Sequence, residues 1–371
     1  MNEDVWMGAE HTLRIVGAGA YVAPHVVTNE QITRAFPGWS PEKLGEKTGV
    51  SERRFLWPLD LDRGCAVSAE AQGAMITTAT DMGEKALSDA LSMAGVTAKE
   101  LDILVVVTCT PDQPHFSHDA MELHRRLGGR AGAHCLVVDS GCGGSLYVVD
   151  MLARMMSNGP LRTAAVVGTH LTSRVVDRGV YTKDGIIGED GERVQPYLST
   201  YLFGDGAGAI VLRRERGRRG IRTSVAGNEY WELVRSPGGG TDSPSYGDRY
   251  NAVDHAFIVN GRLVAKTYMK TMQACIETVA RRAQRSLPDI ERFYLHQPNA
   301  RMLQLLARSL GLRDDQLASN VAHNGNTSSA GMFTLLADDL HKGRLELGTG
   351  APVIFAAIGA GVHYGAQVVE L

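Results

Sequence analysis

An α/β fold with buried sheets is what this sequence predicts, and three observations predict it. Short Val/Ile/Leu-rich runs bounded by Gly, Asn or Asp alternate with longer stretches whose apolar residues recur at helical spacing. The chain has 371 residues, 44% of them apolar, enough to bury a sizeable core. No uninterrupted apolar run reaches the ~20 residues that cross a bilayer, so the core is expected to be that of a soluble protein.

The elements follow in order. Thr80 or Asp81 can cap a helix that runs through Ser92, because Met82, Ala86, Leu87, Ala90 and Leu91 share one face and Gly95 can end it. A strand is predicted over Ile103 to Thr108, a helix over Ala120 to Leu127 and a strand over His134 to Val138. A glycine-rich turn around Cys142 then opens a helix to Ser157, followed by a strand from Ala164 to Gly168. Residues 178–199 and 226–256 are polar and aperiodic and read as long surface loops. Beyond them come a helix from about Leu263 to Arg285, a strand over Phe293 to Leu295 and a helix over Ala300 to Leu310. Val353 to Ile358 and Val362 to Val369 read as closing strands. This order is compatible with two α/β halves, 1–215 and 216–371.

Charge and cysteine usage exclude several functions. Thirty-eight Lys and Arg against 41 Asp and Glu give a formal charge of -3, so no global field points to nucleic acid or an anionic membrane. The five cysteines (65, 109, 135, 142 and 275) show no CxxC pair and no Cys/His ligand spacing, which speaks against a disulfide framework or a zinc site and fits a reducing cytoplasm. The opening MNEDVWMGAEHTLRI has acids where a signal peptide has bases.

Three residues could carry chemistry. Cys142, in "VVDSGCGGSLY", sits where an apolar run gives way to a helix, and the positive end of a helix favours thiolate over thiol. Its small neighbours leave room for a carbonyl, and its own backbone N–H is close enough to help an oxyanion. A buried packing cysteine is the competing reading. His296 in "FYLHQPNARML" ends an apolar strand, where open α/β sheets place active-site residues, although packing or capping histidines occur there too. Asn326 in "AHNGNTSSAG" lies among turn-forming residues that also suit an ordinary loop. Spacing alone does not show that the three meet.

Seven stretches in order resemble the ketoacyl synthase III (3-oxoacyl-[acyl-carrier-protein] synthase III) branch of the thiolase-like superfamily, over nearly the whole length. They are "IVGAGAYVAPHVVTNEQI", "TGVSERR", "DSGCGGSLY", "LFGDGAGAIVL", "HQPNAR", "NGNTSSAG" and "AIGAGVHYG". The resemblance implies a layered α-β-α-β-α fold of two similar halves, the first with the nucleophilic cysteine and the second with the histidine and asparagine. It further implies a homodimer and a tunnel for a pantetheine arm. On it, Cys142, His296 and Asn326 are the catalytic set, and the backbone N–H groups of Cys142 and Ala360 form the oxyanion hole. Acyl-coenzyme A or acyl-carrier-protein thioesters are the implied substrates, with no cofactor and no metal. Arg174 matches an arginine beside the adenine of coenzyme A, and Asn299 a residue near the active-site water. Phe116 matches an aromatic that reaches across the dimer. Arg301 and Arg308 match carrier-binding basic positions, a solvated helix face being the other reading. Lys43 stands where the family has a tryptophan, and residues 178–199 are longer than in housekeeping relatives.

The implied reaction is acyl loading on Cys142 and then decarboxylative condensation with a malonyl-type or 3-oxoacyl thioester, in specialised polyketide or fatty-acid-like metabolism, since His296 and Asn326 can both hydrogen-bond an enolate. Transfer to a hydroxyl or amine, or a non-catalytic partner subunit, are the alternatives. "GAGAYV" at 17–22 lacks the third glycine of a dinucleotide fingerprint and reads as a tight turn. "GDGAG" at 204–208 reads as close backbone packing, and "RRERGRRG" at 213–220 as a solvated turn or a carrier contact.

Overall fold

The computed structural model describes residues 10–35, 39–60, 64–176, 202–217, 219–231, 233–236, 238, 244, 246–251 and 254–371. The long segment 178–199 and its predicted loop lie outside the described residues.

Two sheets organise the chain. The first contains β1 (His11–Val22), β6 (Ile103–Val107), β7 (His134–Val138), β8 (Thr163–His170) and β9 (Gly206–Arg216) in the order β1-β9-β8-β6-β7. The second contains β10 (Gly220–Trp231), β13 (Arg292–Leu295), β14 (Pro352–Gly359) and β15 (Gly361–Glu370) in the order β10-β15-β14-β13. Pairing repeats between them: two antiparallel ladders, β1/β9/β8 and β10/β15/β14, each continue into a parallel pair, β8/β6 and β14/β13. The chain passes from one sheet to the other between Arg216 and Gly220. Three two-stranded ribbons flank them: β2 (His25–Thr28) with β3 (Glu52–Phe55), β4 (Leu59–Asp60) with β5 (Cys65–Ala66), and β11 (Val234–Arg235) with β12 (Ile258–Val259).

The helices in chain order are α1 (Asn29–Ala35), α2 (Pro41–Thr48), α3 (Ala79–Ala94), α4 (Asp119–Arg126), α5 (Gly144–Asn158), α6 (Gly261–Arg282), α7 (Ala300–Ser309), α8 (Val321–Asn324) and α9 (Gly331–His341). Side-chain alternation along the strands sorts them into layers. Ile103, Val105 and Val107 of β6 pack inward with Leu146, Val149 and Leu152 of α5, Phe333 and Leu336 of α9, and Phe355 and Ala357 of β14. The alternate residues Leu104 and Val106 face Met82, Ala86, Leu87 and Ala90 of α3. On the far side, Ile354, Ala356 and Ile358 of β14 pack against Tyr268, Met272 and Ile276 of α6 and Leu303 and Leu306 of α7. The result is helix, sheet, central helix pair, sheet, helix.

Local signals explain most boundaries. The cap of α3 is Thr78, in a reciprocal capping box with Asp81, and not Thr80 or Asp81, which lie in the first turn; Gly95 ends the helix at φ 63° as expected. Two further expectations fail. The "GAGAYV" stretch is not a turn but the interior of β1; its glycines serve close packing, since a Cβ on Gly17 or Gly19 would fall 2.2 Å from the Ala90 oxygen or 2.1 Å from the Ala86 oxygen of α3. Residues 226–231, expected in a loop, extend β10 against β15, from Ala226 opposite Gly365 to Trp231 opposite Gly361. As the edge strand β10 carries exposed polar residues such as Asn228 and Glu229 there, so apolar periodicity is lost. The run "RRERGRRG" spans the end of β9, the turn and the start of β10, and "GDGAG" packs closely, a Cβ on Gly204 falling 1.9 Å from the Asn324 oxygen.

Candidate active site

Cys142 sits in a single 3-10 turn, Gly141–Gly143, between β7 and α5. The turn calls for glycine on both sides of the cysteine: Gly141 has φ +54°, and a Cβ on Gly143 would fall 2.7 Å from the Gly359 backbone nitrogen. The turn thereby brings the backbone beside Cys142 against the segment that carries Ala360.

His296 follows β13 directly and is 6% exposed. Its N–H donates to the Ala356 oxygen at 2.8 Å, and its carbonyl accepts from the Tyr268 hydroxyl at 2.7 Å, so both ends of the residue are held. Asn326, also 6% exposed, is clamped by the opposite half of the chain: its N–H donates to the Leu202 oxygen at 2.9 Å and its carbonyl accepts from Gly204 N–H at 3.0 Å. Gln297 joins the two loops. Its Oε1 accepts from the N–H groups of Asn320 and Val321, each at 3.1 Å, just ahead of Asn326.

The carboxamide orientation follows from its partners. Asn326 Oδ1 accepts from Ser328 N–H at 2.9 Å, which leaves the amide nitrogen to hydrogen-bond Cys142. Ser328 Oγ donates to Cys142 Sγ at 3.4 Å. Its neighbour Ser329 donates to the Val107 oxygen at 2.8 Å and accepts, through its carbonyl, from Ser145 at 2.7 Å, tying the loop to β6 and α5. Each serine of "NTSSAG" therefore has a task that spacing did not disclose.

Two cavities meet at the sulfur. One, of about 140 Å³, is lined by Cys142, His296 and Asn326 together with Asn299, Gly359 and Ala360. The other, of about 370 Å³, shares Cys142, Phe203, Val234 and Ala360 with it. Electrostatics differ from the sequence expectation of a favoured thiolate. Burial pushes the Cys142 thiol up, with the hydrogen bonds from Ser328 and Asn326 working against it. Burial also drives the His296 imidazole down to about 3, so the ring is neutral. Cys109, a second thiol in the larger cavity, is pushed up to about 12 by burial, with the Cys142 and Asp139 charges adding to it.

The remaining sequence candidates are scattered. Asn299 caps α7, its Oδ1 accepting from Met302 N–H at 2.9 Å, and also lines the smaller cavity. Arg174 lies away from both cavities, bonded to the carbonyls of Pro111 and Asp112 and 3.7 Å from the Asp112 carboxylate. Arg301 and Arg308, seven residues apart, share the exposed stripe of α7 with Leu305; Arg301 Nε donates to the Glu46 oxygen at 3.0 Å. Phe116 is 90% exposed on the β6–α4 loop. Lys43 lies 4.8 Å and Lys47 5.1 Å over the ring of Trp39, an aromatic the sequence reading passed over.

A five-layered sandwich whose central helix opens at a cysteine in a cavity is the architecture of the thiolase class, the cysteine-based condensing enzymes. Comparison with known proteins narrows it. Residues 138–229 match the family model for 3-oxoacyl-[acyl-carrier-protein (ACP)] synthase III and residues 280–371 that for its C-terminal part. The beta-ketoacyl-[acyl-carrier-protein] synthase III of Rhodospirillum centenum is 30% identical over 362 residues, covering 96% of this chain and 98% of the relative. That of Clostridium acetobutylicum is 26% identical over 362 residues, covering 97% and 99%. The crystal structure of the Pseudomonas aeruginosa 3-oxoacyl-(acyl carrier protein) synthase III superposes with a TM-score of 0.79 at 23% identity, covering 97% of this chain and 98% of that one. The chain belongs to the 3-oxoacyl-[acyl-carrier-protein] synthase III family. Among the described residues no helix is long and apolar enough to cross a membrane.

Proposed function

We propose that the protein loads an acyl group from a coenzyme A or carrier-protein thioester onto Cys142 and condenses it, with decarboxylation, with a malonyl-type thioester. The observation that carries this reading is the shared lining: Cys142, His296 and Asn326 face one cavity, with the Asn326 amide nitrogen on the sulfur. In the first half-reaction Sγ attacks the thioester carbonyl, the new C–S bond forms, and the departing thiol takes the cysteine proton. In the second, the bond between the malonyl carbon and its carboxylate breaks and carbon dioxide leaves. The electron pair passes into an enolate whose oxygen accepts hydrogen bonds from neutral His296 and from Asn326. The enolate carbon attacks the acyl-cysteine carbonyl, whose oxyanion accepts from the N–H groups of Cys142 and Ala360; collapse breaks the acyl C–S bond, frees the 3-oxoacyl thioester and leaves Sγ to take a proton from water.

The exposed stripe of Arg301 and Arg308 around Leu305 supports docking of an acidic carrier protein. β7 is an edge strand with Leu136 49% exposed, and Phe116 is 90% exposed on the β6–α4 loop, which supports a homodimer that covers both. The Lys43 and Lys47 ammonium groups over Trp39 and the tethered Arg174 support a specialised, polyketide- or fatty-acid-like role over a housekeeping one.

The test is intact-protein mass after incubation with acyl thioesters. An acyl adduct should appear on the peptide holding Cys142 and be absent from Cys142→Ala. Added malonyl thioester should then release carbon dioxide in step with product. Product without carbon dioxide would instead establish transfer to a hydroxyl or amine.

A further inference from the structure

The larger cavity has a chemistry that an alkyl chain does not need. Its inner wall includes His170, only 1% exposed, whose Nδ1 bonds the Gly204 carbonyl at 2.9 Å. A carbonyl accepts, so Nδ1 carries the proton. Burial pushes this imidazole down to about 4, so the ring is neutral and Nε2 keeps a bare lone pair. That nitrogen has no hydrogen-bond partner among the described residues, and the ring it belongs to lines the cavity. With Nδ1 engaged, Nε2 is left to accept from a ligand donor in place of solvent. Phe203, whose ring centroid lies 5.2 Å from that of His170, joins Val234 and Phe257 in offering apolar surface for the carbon skeleton. At the exposed side stands Asp139, a second acceptor and a group that repels carboxylates. A volume of about 370 Å³ is in the range of small-ligand pockets.

Resting on the reading of Cys142 as the acyl carrier, we propose that the acyl group it receives bears a hydrogen-bond donor, a hydroxyl or amino group, which His170 Nε2 accepts. His170 is then a specificity residue: it acts on which acyl group is loaded and takes no part in bond making.

The experiment compares initial rates of Cys142 acylation by N-acetylcysteamine thioesters of hexanoate, 3-hydroxyhexanoate, 6-hydroxyhexanoate, 3-aminohexanoate and 6-aminohexanoate. At least one substituted thioester should load about tenfold faster than hexanoyl or better, since sites built to bond OH or NH reject analogues lacking it. Faster hydroxyl or faster amino compounds identify which donor is used. In His170→Leu the ratio should fall to within about twofold; the wild-type ratio tests the proposal independently if that variant folds poorly. Hexanoyl loading as fast as every substituted thioester overturns the selectivity and leaves Cys142 chemistry standing. An advantage that survives His170→Leu overturns the assignment to His170. No acylation by any thioester overturns both this inference and the reading it rests on.

Discussion

Asn326 offers the sharpest test because its two amide atoms have separate duties. Oδ1 accepts from Ser328 N–H at 2.9 Å and holds the turn, while the nitrogen side reaches Cys142 and the smaller cavity. Asn326→Ala removes both: Ser328 N–H becomes a buried unpaired donor, costing about 1–3 kcal/mol of stability, and the enolate loses one donor. Loss of a single preorganised donor to a developing oxyanion costs about 10²–10³ in rate, or about 2.7–4 kcal/mol. Asn326→Asp separates the effects. The carboxylate still accepts from Ser328 N–H, so the melting temperature should stay near wild type, but no donor faces the enolate and a negative charge does. Condensation, followed as carbon dioxide release from malonyl thioester on pre-acylated protein, should fall by about 10³ or more. A carboxylate beside Sγ also opposes the thiolate, so loading is measured separately by mass and condensation is scored only from the loaded enzyme. If Asn326→Asp, folded and fully acylated, releases carbon dioxide within about fivefold of wild type, asparagine is not an enolate donor and the reasoning from amide orientation to reaction type is wrong.

Three further outcomes follow from the same geometry. Because burial raises the Cys142 thiol, the thiolate fraction is small at neutral pH, so alkylation by iodoacetamide should climb about tenfold per pH unit from 7 to 9; a plateau below pH 8 would refute it. Gly141→Ala places an L-residue at φ +54° against the Ala360 nitrogen, and should lower stability by about 1–2 kcal/mol in a denaturant titration while slowing turnover; unchanged values of both would contradict the packing described. Arg301→Glu with Arg308→Glu should raise KM for carrier-protein thioesters by about tenfold or more and leave N-acetylcysteamine thioesters unaffected, whereas equal loss on both would place the arginines elsewhere in function.

The sequence disclosed elements that rest on local physics. The apolar face and Gly95 end of α3, the run Ile103–Val107 with its alternate faces, and the strand-to-helix junction at Cys142 are all legible within a few residues, whereas the α3 cap falls at Thr78, ahead of the expected Thr80 or Asp81. What brings the site together is long-range and was not legible. Ser328 reaches Cys142 across 186 positions, Ser329 reaches Val107 across 222, and Gln297 fastens the His296 loop to the segment before Asn326. Seven motifs in order anticipated that the three residues meet, but not the hydroxyls and backbone clamps that make them meet. "GAGAYV" misled because glycine serves turns and close helix approach alike, and only α3 lying on Gly17 and Gly19 decides between them.

The same burial explains why a cysteine and a histidine in one cavity need not form an ion pair. Moving the proton from sulfur to imidazole would create two charges where neither is well solvated, and both groups respond in the direction that forbids it: the thiol is raised and the imidazole falls to about 3. His296 therefore keeps one N–H and one bare ring nitrogen throughout the physiological range, and on the proposed reaction that N–H suits a substrate oxygen that becomes negative, as an enolate does. A neutral donor has a further advantage for the second half-reaction. An imidazolium there would bind the malonyl carboxylate as an ion pair and stabilise the ground state, whereas a neutral ring gains strength as charge gathers on the carbonyl oxygen while the bond to the carboxylate breaks. On the proposed reaction, the low basicity of the buried ring favours the transition state of decarboxylation over the substrate that precedes it.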